Sequence, residues 1–197
     1  MSELRILCYH AVSPDWSAGL AVTPEAFERQ VSNFARRGWT SATFTEVVRR
    51  SPATKTVVIT FDDAFASVKR YAQPVLTSLG MKGTVFAPTD YVSRGAPLAW
   101  AGLDHWEQTS DAKELTPMSW DDLRALAELG WEIGSHSRTH PVLTSLSDDV
   151  LTEELGGSRQ ECSERIGRPV TSLAYPYGDV DDRVEMHAQR ALSLIHI

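Results

Sequence analysis

Apolar residues fall along this chain in two patterns. Short unbroken apolar runs predict strands over residues 5–9, 39–42, 57–61, 84–87, 131–135 and 172–174. Between them apolar residues recur every three or four positions, as at Phe27, Val31 and Phe34, which predicts helices. Thr23-Pro24-Glu25 reads as an N-cap, a first-turn proline and a first-turn acid, and Gly38 stops the helix that they open. Further helices are expected over 45–50 and 64–79, from a Ser119 cap to 129, over 148–166 and at 188–191, with Gly80 and Gly130 as terminators. The run Val57-Val58-Ile59-Thr60-Phe61 is apolar throughout rather than alternating, so it is expected to be buried on both faces. Strands that alternate with helices call for parallel strands and helical crossovers, hence an α/β fold. Residues 90–117 follow neither pattern. They hold Trp100, His105 and Trp106 among glycines and prolines, and are expected to form a long excursion or lid.

Composition narrows the picture by exclusion. With 197 residues, 42% of them hydrophobic, and no linker tract, the chain can bury one sizeable core. A net charge of −7 without a basic stripe argues against nucleic acid as a partner. No apolar run approaches a membrane span. The first residues, Met1-Ser2-Glu3-Leu4-Arg5, have no room for a signal peptide, which favours the cytoplasm. Cys8 and Cys162 lack metal-site spacing and are expected to be core or half-buried thiols, not a disulfide.

Candidate chemistry gathers at the strand ends. His10, Asp62, Asp63, His136 and Tyr175 each stand at the carboxyl end of a predicted strand. In a parallel β/α barrel those ends converge on one face, so the expected architecture is a barrel with six units visible. Asp62 and Asp63 are adjacent on a strand, which predicts opposite directions and different jobs, capping the next helix being one of them. In His136-Ser137-Arg138-Thr139-His140 two imidazoles stand four residues apart; one helical turn there would aim both rings the same way. Two imidazoles and a carboxylate make a three-ligand site with open positions, suited to zinc or a similar divalent ion. Alone, H-x-x-x-H is a weak signal. Joined to an Asp-Asp pair at another strand end, it becomes a strong one.

Three stretches carry a resemblance: Thr60-Phe61-Asp62-Asp63-Ala64, His136-Ser137-Arg138-Thr139-His140-Pro141 and Ala174-Tyr175-Pro176-Tyr177-Gly178. They resemble the first three motifs of the polysaccharide deacetylases, the NodB-homology family or carbohydrate esterase family four. Tyr9-His10 and the Thr23-Pro24-Glu25 helix resemble the branch that includes poly-N-acetylglucosamine deacetylases. The resemblance implies a distorted (β/α) barrel and metal-dependent N-deacetylation of an N-acetylated oligo- or polysaccharide, with release of acetate. It implies Asp63, His136 and His140 as ligands of a divalent metal, Zn2+ first, and Asp62 as general base. It also implies the backbone N–H of Tyr177 as oxyanion donor. Candidate substrate contacts are His10 (lining the sugar site or packed beneath it), Tyr175, Pro176, Trp100 and Trp106. Trp120 is expected in the core and His105 on the surface. Members of the family often act outside the cytoplasm, against the reading of the N-terminus.

The motifs also depart from the pattern. Ala64 stands where the family usually has Gly, and Ala174 where an Arg commonly orients the base aspartate. Asp179, Asp181 and Asp182 are expected to serve a solvated turn and a helix N-terminus. The resemblance implies two further strands, with a fifth motif whose His is the general acid, yet neither His187 nor His196 stands in a fitting context. Residues 192–197 match the translation of a transposon-end sequencing adapter. The expectation is a deacetylase domain over 1–191 that lacks its closing strands, and a non-native tail at 192–197. Two rival functions are an amidohydrolase of the same fold acting on a small amide or cyclic imide, and a non-catalytic carbohydrate-binding protein.

Overall fold

The computed structural model describes residues 3–52 and 54–191. In chain order these form β1 (Glu3–Tyr9), β2 (Ala11–Val12), β3 (Ala21–Val22), α1 (Pro24–Arg36), β4 (Thr40–Ala42), α2 (Phe44–Arg49) and β5 (Lys55–Phe61). A π-helical turn (Val68–Ala72) runs into α3 (Gln73–Ser78), followed by β6 (Thr84–Ala87), α4 (Thr89–Arg94), α5 (Trp120–Glu128) and β7 (Glu132–Ser135). Then α6 (Asp148–Thr152), a second π turn (Glu153–Gly157) and α7 (Ser158–Ile166) make one continuous helix, and α8 (Asp182–Ala191) ends the described residues. Residues 192–197, read above as a tail, lie outside them.

The main sheet is parallel throughout, in the order β1-β5-β6-β7, with the short β4 also paired to the first half of β5. Beyond β7 the expected sixth strand is reduced to a single bridge between Ser135 and Leu173. Two bonds hold it: Ser135 N–H to the Ser172 carbonyl at 2.9 Å, and Ala174 N–H to the Ser135 carbonyl at 3.0 Å. Pro169 before this segment and Pro176 after it cannot donate to a ladder, so pairing stays this short. Among the described residues the sheet is an arc of a distorted barrel with β1 at one end.

β5 lies between β1 and β6 and is buried on both faces, as its unbroken apolar run predicts. Val57, Ile59 and Phe61 pack outward with Phe27 and Val31 of α1 and Val68, Ala72 and Leu76 of the π turn and α3. Val58 points the other way, against Phe44, Phe86 and Ala174. Each large side chain so buried stabilises the fold by about 1.5–3 kcal/mol. The caps expected at Thr23 and Ser119 are realised, Thr23 accepting the Ala26 N–H and Ser119 forming a capping box with Asp122, and α2 carries a further capping box, Thr43 with Glu46, that was not expected.

Residues 90–117 differ from a loose lid. They begin in α4 and are pinned by Leu98, Leu103 and Leu115, all buried, and by the Leu98 N–H to Leu115 carbonyl bond at 2.8 Å. Ala66 donates to the Thr116 carbonyl and Met118 to that of Ala64, which ties the segment to the end of β5. Three leucines at irregular spacing anchor it, and periodicity cannot reveal such an anchor. The segment packs onto the core, and its residues 100–103 line one wall of the cavity at the strand ends.

Candidate metal centre

One cavity of about 570 Å³ opens at the carboxyl ends of the strands, lined by His10, Asp62, Asp63, Trp100, His136, His140, Tyr175 and Tyr177 among others. At its floor the Asp63 Oδ1 lies 3.3 Å from His136 Nε2 and 3.4 Å from His140 Nε2. All three residues are buried, and one ligand atom from each lies within 4.8 Å of the others. Aspartate oxygen and imidazole nitrogen are the donors that zinc and similar ions take, so these residues fit a divalent ion. The Nδ1 of His140 is buried and has no hydrogen-bond partner among the described residues.

The backbone that gathers them is not the one local periodicity suggests. β5 ends at Phe61, and Asp63 and Ala64 turn through left-handed conformations with φ of 67° and 53°. Asp62 and Asp63 therefore leave strand geometry and both face the cavity instead of opposite sides, and no helix begins at Ala64. Nor do residues 136–140 form a helical turn. Ser137 and His140 have φ of 60° and 58°, and this left-handed loop brings the two rings to 4.8 Å at 69°. A bulky residue at positive φ is strained and persists only where its surroundings hold it. Tyr177, at φ 60°, is a third such residue in the cavity wall.

Electrostatics separate the two carboxylates. Burial raises Asp62 above the usual carboxylate range, with the His136 and His10 charges pulling the other way. Burial would raise Asp63 as well, but the His136 hydrogen bond and the two imidazoles hold it below that range. For His136 burial is outweighed by the same Asp63 bond and by both carboxylates, so its pKa rises. His140 falls to about 3, by burial and by the neighbouring His136, and is neutral at ordinary pH. One carboxyl is thus tuned toward accepting a proton, and the other stays ionised.

Aromatic rings close over His140. Trp100 stacks on it at 3.9 Å and 17°, and Tyr177 meets it edge-on at 4.6 Å. Trp106 does not join them; it packs edge-on against Trp16 at 5.8 Å and onto the core, away from the cavity lining. Pro176 is buried and likewise outside the lining. Both depart from the expected substrate contacts, because the turn at Tyr177 faces Pro176 inward and the 104–106 turn faces Trp106 to Trp16. Trp120 is buried and His105 exposed, in line with expectation. His187 sits on α8 beside Thr152 and Asp148, outside the cavity lining, and Asp181 accepts the Val184 N–H of that helix.

Two contributors escaped the motif reading. Cys8, exposed and not core, donates its thiol to Asp62 Oδ2 at 3.5 Å. It stands on β1 two residues before His10, which directly follows the strand, and that spacing could have signalled it. Glu154, in the second π turn, is buried against the loop 137–140, and nothing in its polar neighbourhood of sequence marks it.

Comparison with known proteins agrees with this architecture. Residues 49–193 match the family model described as polysaccharide deacetylase. Over 194 residues the chain is 24% identical to "Putative polysaccharide deacetylase YxkH" of Bacillus subtilis (strain 168), covering 96% of this chain and 62% of that protein. It thus spans less than two thirds of that relative's length. A shorter stretch of 55 residues is 36% identical to chitin deacetylase 1 of Cryptococcus neoformans var. grubii, covering 28% of this chain and 12% of the other. The structure of Streptococcus pyogenes deacetylase PplD in complex with acetate superposes with a TM-score of 0.81, over 95% of this chain and 80% of that one at 24% identity, a likeness of fold. With a family model matched over most of its length, on the stretch that carries the Asp-His-His cluster, the chain belongs to the polysaccharide deacetylase family.

Proposed function

We propose that this chain hydrolyses the acetamide of an N-acetylated oligo- or polysaccharide, releasing acetate and leaving a free amine on the sugar. The observation that carries the reading is a division of labour within one cavity: Asp63, His136 and His140 converge as a buried donor set, while a second carboxyl, Asp62, stands beside it. The names of relatives support the substrate class, since one acts on chitin and another is a deacetylase holding acetate.

Asp63, His136 and His140 would hold a divalent ion, Zn2+ first among candidates, and such an ion supplies Lewis acidity toward a carbonyl oxygen and a water molecule. Asp62, its proton affinity raised by burial, takes a proton from the attacking water. The thiol of Cys8 occupies Oδ2 of Asp62 and so fixes the carboxyl's orientation. The backbone N–H of Tyr177 steadies the developing oxyanion. The proton that Asp62 accepted passes to the leaving amine as the C–N bond breaks, and acetate is released. The faces of Trp100 and Tyr177, with Leu20 and Leu103, offer apolar walls to a sugar ring, and His10 offers a polar edge; the Tyr175 hydroxyl is buried and turned away toward α8.

The test loads the chain with one equivalent of Zn2+ and assays acetate release from chitin oligosaccharides beside turnover of small cyclic imides. Acetate release that requires the metal supports the reading. Turnover of imides alone would replace it.

A further inference from the structure

The left-handed loop between the two histidines is held from behind by a carboxylate that no motif contains. Glu154 is 7% exposed, and its Oε2 accepts the backbone N–H groups of Arg138 at 2.8 Å and Thr139 at 2.9 Å. Its Oε1 accepts the Thr139 hydroxyl at 2.7 Å. On the opposite side the carbonyls of Ser137 and Arg138 accept the N–H groups of Thr89 and Asp90 at 3.2 and 3.0 Å. The backbone at 137–139 is thus held by two other elements, the second π turn and the head of α4.

The helix is shaped for this contact. Glu154 lies in the π turn Glu153–Gly157, where the helix widens by one residue per turn. Next to it, a Cβ on Gly157 would lie 2.9 Å from Glu153 Oε1 and 3.2 Å from Arg138 Cδ, so glycine lets the Arg138 stem cross the helix. One residue on, the Ser158 hydroxyl lies 2.6 Å from that of Ser135, which in turn accepts the Ser137 N–H. Ser137 completes the lock by accepting the His140 N–H at 3.1 Å.

We infer that Glu154 is a positioning residue for the histidine pair: its three hydrogen bonds fix the 138–139 backbone and thereby the separation of the two imidazoles around Asp63. The inference rests on the reading of Asp63, His136 and His140 as a metal site. It concerns hydrogen bonding, not charge or volume, and that makes it separable from general packing.

The experiment compares wild type with Glu154→Leu, Glu154→Gln and, as a reference for lost ligation, His140→Ala. Zn2+ affinity is read by competition with a chromophoric chelator, and amide hydrogen exchange at Arg138 and Thr139 is followed in the metal-free chain. Glu154→Leu keeps bulk but no acceptor, and should weaken Zn2+ binding about 10- to 100-fold. It should also speed exchange at those two amides about 10-fold or more while exchange in β5 is unchanged. In Glu154→Gln the amide oxygen still accepts both N–H groups and the NH2 can donate to the Thr139 hydroxyl, so both readouts should stay within about threefold of wild type. Wild-type behaviour in Glu154→Leu, or a loss in Glu154→Gln as large as in Glu154→Leu, would overturn the inference. If the wild-type chain binds no Zn2+, the deacetylase reading fails by itself. The exchange arm then decides alone, faster exchange in Glu154→Leu supporting the clamp and unchanged exchange removing it.

Discussion

The Nδ1 of His136 lies 2.8 Å from the carbonyl oxygen of Ala174. A carbonyl only accepts, so Nδ1 donates to it, and Nε2 is the nitrogen that faces Asp63, 3.3 Å away. Ala174, at a position where the family resemblance expects arginine, thus still serves the site through its main chain. Its methyl group is buried against Phe44, Val58 and Phe86.

The roles of the two carboxylates are separable by one substitution each. Asp63→Asn removes the charged member of the proposed ligand set, so the purified chain should hold well under one Zn2+ by elemental analysis. Asp62→Asn should retain the metal and lose acetate release by about 100-fold or more, since the proposed general base is gone. Equal loss of metal in both variants would refute the assignment.

Packing behind the site gives a second expectation. A Cβ on Gly134 would lie 2.5 Å from Phe86 Cδ1 and 2.7 Å from Ser172 Oγ, and Phe86 is fully buried with nowhere to swing. Gly134→Ala should cost about 1–3 kcal/mol by overpacking. It should lower Tm by about 2–4 °C for each kcal/mol. Combining it with Phe86→Ala should cost less than the sum of the two single changes, measured as a double-mutant cycle in urea.

Acid sensitivity follows from two capping carboxylates. Burial would raise Glu46 and Asp122, but bonds from Lys82 and the Thr43 N–H, and from Lys69 and the Ser119 N–H, hold both below the ordinary carboxylate range. A carboxylate depressed in the folded state adds stability above its unfolded pKa of about 4, and that stability is lost as pH falls through the folded value. Tm should therefore fall as pH drops below about 4. The double variant Glu46→Gln, Asp122→Asn should start lower at pH 7 and fall less steeply. An identical pH slope in the two proteins would show that these groups contribute nothing.

Trp100 offers an optical check on the floor of the cavity. Its ring stacks on His140 at 3.9 Å. Co2+ bound by His140 should quench Trp100 emission at short range, and Trp100→Phe should remove the largest share of that quenching. Quenching that persists undiminished in Trp100→Phe would place the metal elsewhere.

Much of the fold was legible because its signals are short-range. The unbroken run before Asp62 announced a strand buried on both faces, and Thr23 and Ser119 sit where their side chains reach N–H groups three residues on. The Asp-Asp pair and the spaced histidines at strand ends pointed to one face of a parallel sheet. What stayed hidden was the route by which they meet. Ser137 and His140 adopt left-handed backbone that their own side chains disfavour, and the partners that hold it, Glu154, Ser158 and the Thr89 and Asp90 amides, lie tens of residues away or on another helix.

The sequence by itself determined which residue types stand at the ends of which strands, because periodicity, caps and motif spacing act over a few neighbours. Only the tertiary structure decided that Asp62 and Asp63 share a cavity, that Trp100 rather than Trp106 reaches it, and that residues 136–140 form a loop instead of a helical turn. The physical reason is that a strained backbone is selected by distant hydrogen-bond partners, and no local pattern encodes where those partners will be.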